Sequence, residues 1–485
     1  MNTPRLNRAT GFLRQTAIFC DRWQWVLLVL AAPFLLFPSP ARSLALFVVP
    51  GLWILAWLAG REPLPRTPLN ATLLLMFCMV LVSLWATYDI AVSLPKITGV
   101  VLGLGIFFAV VRAAEHPRGW MLGLLAFLGI GLGIAALGVF GTSWFTSKFT
   151  LFDSMTAHLP KFITGLQGAE SGFQPNEVAG ALLWVLPLMT VISVALFFFL
   201  RSPQNKDARM PGKDWQEKMR GRRLVGVTIL FLAATFFVSM VFLLCQSRGG
   251  YIGLALTLFV LVLIVLPRKW RWYSLIAIIV LAIALGFLVA SHWESVRTWV
   301  TGSNLTANPA LSLNTLEGRL EIWSRAIYAI QDFPFTGMGM NTFRKVTPLL
   351  YPLFKIGPDF DIGHAHNEFL QAALDLGIPG LIAFLALNIG AFWMLADVWK
   401  ATYHLPLNTE RWSAATRSLV LGLGGGLLAH LLYGFTDAVA LGAKPGILFW
   451  MLLGLIAGLH RQAQENWAVA DRSVPETGEE NGLRV

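Results

Sequence analysis

The sequence predicts an all-α integral membrane protein of about twelve transmembrane helices, with one long outer loop that itself contains helices. Three observations lead there. Of 485 residues, 56% are hydrophobic and 13% charged, and the mean hydropathy is +0.64, whereas a soluble domain carries about 25% charged residues. Roughly twelve apolar runs approach the length of about 20 residues that crosses a bilayer. Lys and Arg fall unevenly between those runs, as they do when charge sets orientation in a membrane.

In order, the first five runs lie near 23–37, 43–59, 71–87, 93–111 and 120–140. The next four lie near 178–200, 224–244, 251–266 and 272–290, and the last three near 378–396, 418–435 and 446–459. The first is short and holds Pro33, so it can also pair with the second as a hairpin. The layout is a tail over 1–22, nine spans over 23–290, an outer loop over 291–377, three spans over 378–460 and a polar tail over 461–485. Residues 473–485 are polar enough to be disordered.

Alternate connections can be assigned to alternate sides. The side that holds both termini collects 25 of the 37 Lys and Arg residues, whereas the 26 acidic residues divide 13 and 13. A basic bias without an acidic one is the positive-inside pattern, so both termini are predicted to be cytoplasmic. The loop over 201–223 supplies eight of the 25 and is read as a topology determinant. The net charge of +11 is therefore explained by the membrane, and no nucleic-acid partner is expected. No cleavable signal peptide is evident, because residues 1–22 are polar and basic and no small-residue cleavage site follows the first apolar run. Cys20, Cys78 and Cys245 are scattered, which gives neither a disulfide framework nor metal-ligand spacing.

The chemistry-bearing residues collect on the other side. The loop over 141–177 holds Lys148, His158, Lys161, Glu170 and the run Gln174-Pro175-Asn176-Glu177. In the longer loop, residues 317–331 place Leu320, Trp323, Ile327 and Ile330 at spacings of three and four, which predicts an amphipathic helix on the membrane or on the bundle. Asp332-Phe333-Pro334 and Gly337-Met338-Gly339 then turn the chain. The run His364-Ala365-His366-Asn367-Glu368 precedes a second helix, with Asn367 as its cap, Glu368 in its first turn and Gly377 as its stop. Between two spans lies Ser247-Arg248-Gly249-Gly250, where an arginine is costly unless it meets water or a partner.

Arg248, Arg319 and His366 are the leading candidates, with His364, Asn176, Arg325, Asn367 and Glu368 behind them. Guanidinium forks bind phosphate oxygens, and a neutral imidazole can take a proton from a hydroxyl. Together they suit a phosphorylated, lipid-borne donor and a hydroxyl acceptor. His364 and His366 with Glu368 could ligate a metal, but the outer side has no acidic cluster, further histidine run or cysteine to complete the set. No metal and no cofactor are expected.

These motifs, in this order, resemble the bacterial O-antigen ligase and O-antigen polymerase superfamily. The resemblance rests on His364-Ala365-His366-Asn367-Glu368-Phe369-Leu370-Gln371 and on Asp375-Leu376-Gly377-Ile378-Pro379-Gly380. Gly318-Arg319 with Trp323, Pro334 to Gly339, Ser247-Arg248-Gly249, and Gln174-Pro175-Asn176 with Ala179-Gly180 add to it. It implies a GT-C-type glycosyltransferase that takes a glycan from undecaprenyl pyrophosphate on the periplasmic face of the inner membrane. A ligase passes the glycan to lipid A–core, and a polymerase passes it to another lipid-linked unit. The resemblance further implies inverting, metal-independent transfer, with Arg248 and Arg319 on the pyrophosphate, His366 activating the acceptor and Asn176 lining the cavity. Other readings are a protein-directed oligosaccharyltransferase and, from a different class, a flippase for lipid-linked glycans. A flippase would carry charges deep within its spans, whereas the candidate residues lie in outer loops or at span ends.

Overall fold

The computed structural model describes residues 11, 15–19, 24–39, 41–144, 154–166, 169–201, 215–293, 316–354, 356, 361–402, 410–439 and 441–472. The tail at 473–485, Cys20, Lys148 and most basic side chains of the 201–223 loop lie outside the described residues or side chains.

The described chain is helical. In order it forms α1 (Gln24–Leu36), a 3-10 turn (Arg42–Phe47), α2 (Val48–Leu58), α3 (Asn70–Ala86), α4 (Ile90–Ala113) and α5 (Pro117–Gly141). Then come α6 (Pro175–Leu183), α7 (Leu186–Arg201), α8 (Trp215–Leu244), α9 (Arg248–Val265) and α10 (Arg268–Ser291). The outer loop contributes α11 (Leu316–Asp332) and α12 (Phe343–Leu350), and the chain ends with α13 (Glu368–Ala401), α14 (Glu410–Tyr433) and α15 (Ile447–Arg472).

Every predicted apolar run falls on helix, but the lengths differ. Among the described residues, seven helices are long and apolar enough to cross a membrane, and a bent pair makes an eighth. The bent pair is α6 and α7, which meet at 47°. Trp184 and Val185 make tight bonds to Ala181 and Leu182, and Pro187 has no N–H to continue the ladder. The first three runs give shorter apolar helices, Leu27–Leu36, Arg42–Leu58 and Asn70–Ala86. The first two pack as neighbours, with Leu28, Ala31 and Leu35 of α1 against Val49 and Leu52 of α2 and Leu102 and Ala109 of α4. At the centre, α15 packs on α4, α5 and α13, and its apolar window is 83% buried.

The outer loop is fixed to the bundle by a pair of glycine turns. Gly377 has φ 69° and ψ 179°, a conformation essentially confined to glycine. It bends α13 nine residues after its start, so the predicted helix stop and the next predicted span become one broken helix. Gly337 (φ 67°) packs onto it so closely that a Cβ would lie 2.6 Å from the Gly377 nitrogen. Met338 N–H donates to the Leu374 carbonyl at 2.8 Å, and Ile378 N–H to the Pro334 carbonyl at 2.7 Å. Gly377→Ala therefore places a Cβ 2.6 Å from the Phe335 backbone in a conformation it disfavours. The strain alone is about 1–3 kcal/mol. Thermal unfolding in detergent should show a clear loss for this variant and none for Gly363→Ala, where a Cβ meets nothing within 4 Å.

One expectation needs correction. The predicted apolar stripe of α11 was Leu320, Trp323, Ile327 and Ile330, yet Leu320 and Ile327 are exposed. The buried face carries Gly318, Ile322, Ala326 and Ala329. Small residues let α11 approach α13 closely, and packing distance, not side-chain size, chooses the face. The helix lies on the bundle.

Candidate active site

The site forms where the chain before α13, the start of α9, the first turn of α11 and the loop after α14 converge. Asn367 starts α13 as predicted: its Oδ1 accepts the Phe369 and Leu370 N–H groups, each at 3.0 Å. Its Nδ2 donates to the Phe435 carbonyl at 3.2 Å, and the Glu368 N–H donates to the Gly434 carbonyl at 2.8 Å. These two bonds bring the 434–437 loop beside the histidines. His366 itself is left-handed, with φ 49°, which turns its ring out of the helix direction.

At the centre is Asp437, a residue that sequence reasoning missed. His366 Nδ1 lies 3.0 Å from Asp437 Oδ1, and Arg319 Nη2 lies 3.4 Å from Asp437 Oδ2. Arg319 also donates through Nη1 to the Thr436 carbonyl, and its buried Nε has no hydrogen-bond partner among the described residues. Because a carboxylate only accepts, His366 carries its proton on Nδ1. In the neutral ring the lone pair is then on Nε2, to which no described residue bonds. Burial alone would raise the Asp437 carboxyl. The hydrogen bond and electrostatic attraction from His366, with those of His364 and Arg319, outweigh that and hold it ionised well below the usual carboxylate range.

His364 packs edge-on against His366, with ring centroids 4.4 Å apart. Its Nδ1 accepts the His366 N–H at 3.1 Å, so its own proton sits on Nε2, 3.8 Å from Asp437 Oδ1. Burial, then the neighbouring His366, push its pKa from 6.5 to about 3. Below pH 6.5 the unfolded chain binds a proton that the folded site refuses until about pH 3, so stability falls with pH through that window. His364→Gln should therefore lose less thermal stability than the parent between pH 7.5 and 5, a comparison that melting curves at the two pH values will check.

His364, His366 and Asp437 each offer a ligand atom, all within 4.8 Å of one another, so Asp437 replaces Glu368 as the third member of any metal set. A neutral imidazole has one lone pair, and that of His364 already accepts the His366 N–H. Arg319 occupies the far side of the same carboxylate.

Arg248 opens α9, close enough to Arg319 for the two charges to interact. A Cβ on Gly249 would lie 2.1 Å from Thr436 Oγ1, so only glycine lets the 436–437 loop seat there. Asn176 lies in the first turn of α6, where its carbonyl accepts the Tyr433 hydroxyl at 2.7 Å, and Tyr433 in turn leads into the Asp437 loop. Arg319, His364, His366 and Asn367 thus meet the 434–437 loop, Arg248 adjoins it through Gly249, and Asn176 bonds by its backbone to Tyr433 just before it.

Arg325 and Glu368 make other contacts. Arg325 donates to the Pro352 carbonyl at 2.9 Å, pairs with Glu321 and lies over Phe354, tying α11 to the loop before the histidines. Glu368 is buried, 2.8 Å from His430 Nε2. His430 also donates through Nδ1 to the Gly180 carbonyl at 2.9 Å and stacks on Trp184 at 3.9 Å. This second histidine–carboxylate pair fixes the start of α13 against α14 and α6 from behind the site. A signal for Asp437 did exist, because it is the one acidic residue between the last two predicted spans.

Residues 233–385, which carry Arg248, Arg319, His364 and His366, match the model of the O-antigen ligase family. The match covers 153 of the 485 residues. A search of curated proteins finds no match to the chain. The O-antigen ligase match indicates a membrane glycosyltransferase-like enzyme of the ligase or polymerase type. Asp437 lies beyond the matched segment, so the carboxylate between His366 and Arg319 comes from the C-terminal part of the chain.

Proposed function

We propose that the protein is an O-antigen ligase that transfers a glycan from undecaprenyl pyrophosphate to lipid A–core at the periplasmic face of the inner membrane, through twelve spans with both termini cytoplasmic. The observation that carries this reading is His366, whose Nδ1 lies 3.0 Å from Asp437, the carboxylate that Arg319 also holds. The acceptor hydroxyl gives its proton to Nε2 as its oxygen bonds to the anomeric carbon. The bond from that carbon to the pyrophosphate oxygen breaks, and the lipid diphosphate leaves with the electron pair. Attack opposite the leaving group inverts the anomeric centre.

Arg248 would meet the growing diphosphate charge, and Arg319 would share that task while holding Asp437 in place. His364, kept neutral, would add a hydrogen bond to substrate without adding charge. Asn176 would line the cavity, Asn367 and Glu368 would position the histidines, and Arg325 would hold the loop beneath them. The proposal requires neither metal nor cofactor.

The test is reconstitution with undecaprenyl-pyrophosphate glycan, a chelator and three acceptors: lipid A–core, a second lipid-linked glycan and a pilin-like protein. Glycosylated lipid A–core supports the ligase reading. Extension of the lipid-linked glycan alone makes the protein a polymerase, and glycosylated pilin makes it a protein oligosaccharyltransferase. Movement of the lipid-linked glycan without a new glycosidic bond would overturn transfer altogether.

A further inference from the structure

We propose a second binding site, at the end of the bundle away from His366, for the phosphodiester headgroup of an anionic phospholipid. Three helices locate it. At the site end, α3 terminates where Ser83 Oγ accepts the Met340 N–H at 2.7 Å, and α4 begins where the Val92 carbonyl accepts Asn341 Nδ2 at 2.8 Å. The turn that leads into α15 starts there too, at Lys444. The residues at the other ends of these three helices enclose a cleft of about 420 Å³, lined by Arg61, Glu62, Arg66, Arg112, Glu115 and Arg461 with Pro65.

The cleft is built for an anion. Its lining holds four guanidinium groups against two carboxylates. Glu115 is shared, pairing with Arg61 and lying 3.6 Å from Arg461, Arg461 also bonds Glu465 at 3.0 Å, and Glu62 pairs with Arg66 at 2.9 Å, which still leaves four guanidinium groups to three carboxylates. Arg112 is only 7% exposed and donates to the Glu62 and Pro63 carbonyls at 2.6 and 3.0 Å, which fixes the Arg61–Arg66 connection over the cleft. Those carbonyls accept hydrogen bonds but bring no formal negative charge. Guanidinium groups in a preset fork are the usual partners of phosphate oxygens.

What selects a lipid over a free anion is the border. Trp57 and Leu58 end α2 just before Arg61, and Leu122 follows in the first turns of α5. All three are open, at 66%, 42% and 67% exposure. A basic cleft edged by apolar side chains at the end of membrane helices matches a headgroup with its acyl chains alongside. Arg66 is exposed and Arg461 partly so, and neither belongs to the buried core, so the melting temperature of R66A/R461A, measured beside binding, should stay near that of the parent.

The experiment is native mass spectrometry of the full-length protein in mild detergent, titrated with phosphatidylglycerol, phosphatidylcholine or inorganic phosphate. The parent should retain phosphatidylglycerol in preference to phosphatidylcholine. R66A/R461A should bind it roughly thirtyfold more weakly. R268A/K269A, which removes two exposed cations from the same end of the bundle, should bind as the parent does. Equal binding of both lipids, an unchanged R66A/R461A protein, or an equal loss in both variants would overturn the proposal. So would saturation by inorganic phosphate without lipid preference, which would make the cleft a free-anion site.

Discussion

Asp437→Asn is expected to abolish most glycan transfer while leaving the protein folded and able to bind its donor. The amide keeps the shape of the carboxylate but can donate as well as accept, so His366 Nδ1 is no longer compelled to carry the proton. The tautomer with its lone pair on Nε2 loses its advantage, and a positive charge formed on the ring during proton uptake loses its counter-charge. A positioned general base contributes about 100- to 10,000-fold, and the loss should lie in that range. His366→Ala should fall as far. The double variant should fall little further, because the two side chains act as one unit. Measuring turnover and apparent donor affinity separately will check this: a fall in turnover at constant donor KM is expected. If Asp437→Asn transfers glycan at the parent rate, the dyad does not activate the acceptor.

Arg319→Ala is expected to do damage of two kinds. Its Nη1 and Nη2 hold the Thr436 carbonyl and Asp437, and it shares the site with Arg248. Removing one donor to developing charge costs about 100- to 1,000-fold in turnover. It also frees the loop that orients His366, so Arg319→Ala should weaken donor binding and turnover together. Lysine should not restore function, because an ammonium cannot span a carbonyl and a carboxylate in one plane. Arg248→Ala should raise donor KM and leave His366 and Asp437 in place, because His366 and Arg319 both hold that carboxylate. Equal thermal stability and equal kinetics in the two arginine variants would show that Arg319 plays no part in holding Asp437.

The sequence made the helical membrane architecture legible because apolar runs and the Lys/Arg bias are local signals. The Asn367 cap and the turn at Gly377 were legible from residue type and position, and Arg319 and His366 as candidates from their chemistry. Other features depend on packing at long range. That Ile322 and Ala329, and not Leu320 and Ile327, face the bundle is decided by how near α13 can come. The bend between α6 and α7 is hidden inside what reads as one apolar run. Asp437 and His430 are partners of residues 71 and 62 positions away, and no local pattern links them. Glu368 reads as a site carboxylate by its motif, yet its direction is set by His430.

The dependence of His366 on Asp437 has a consequence for biogenesis. A nascent chain that has inserted everything up to α13 already displays both imidazoles and both guanidinium groups, yet it holds an unoriented ring. Competence arrives only when the last hairpin enters the bilayer and delivers its carboxylate. Under the proposed function, a chain that lacks this last segment should fold its histidines into place without the carboxylate that orients His366 and so should not transfer glycan.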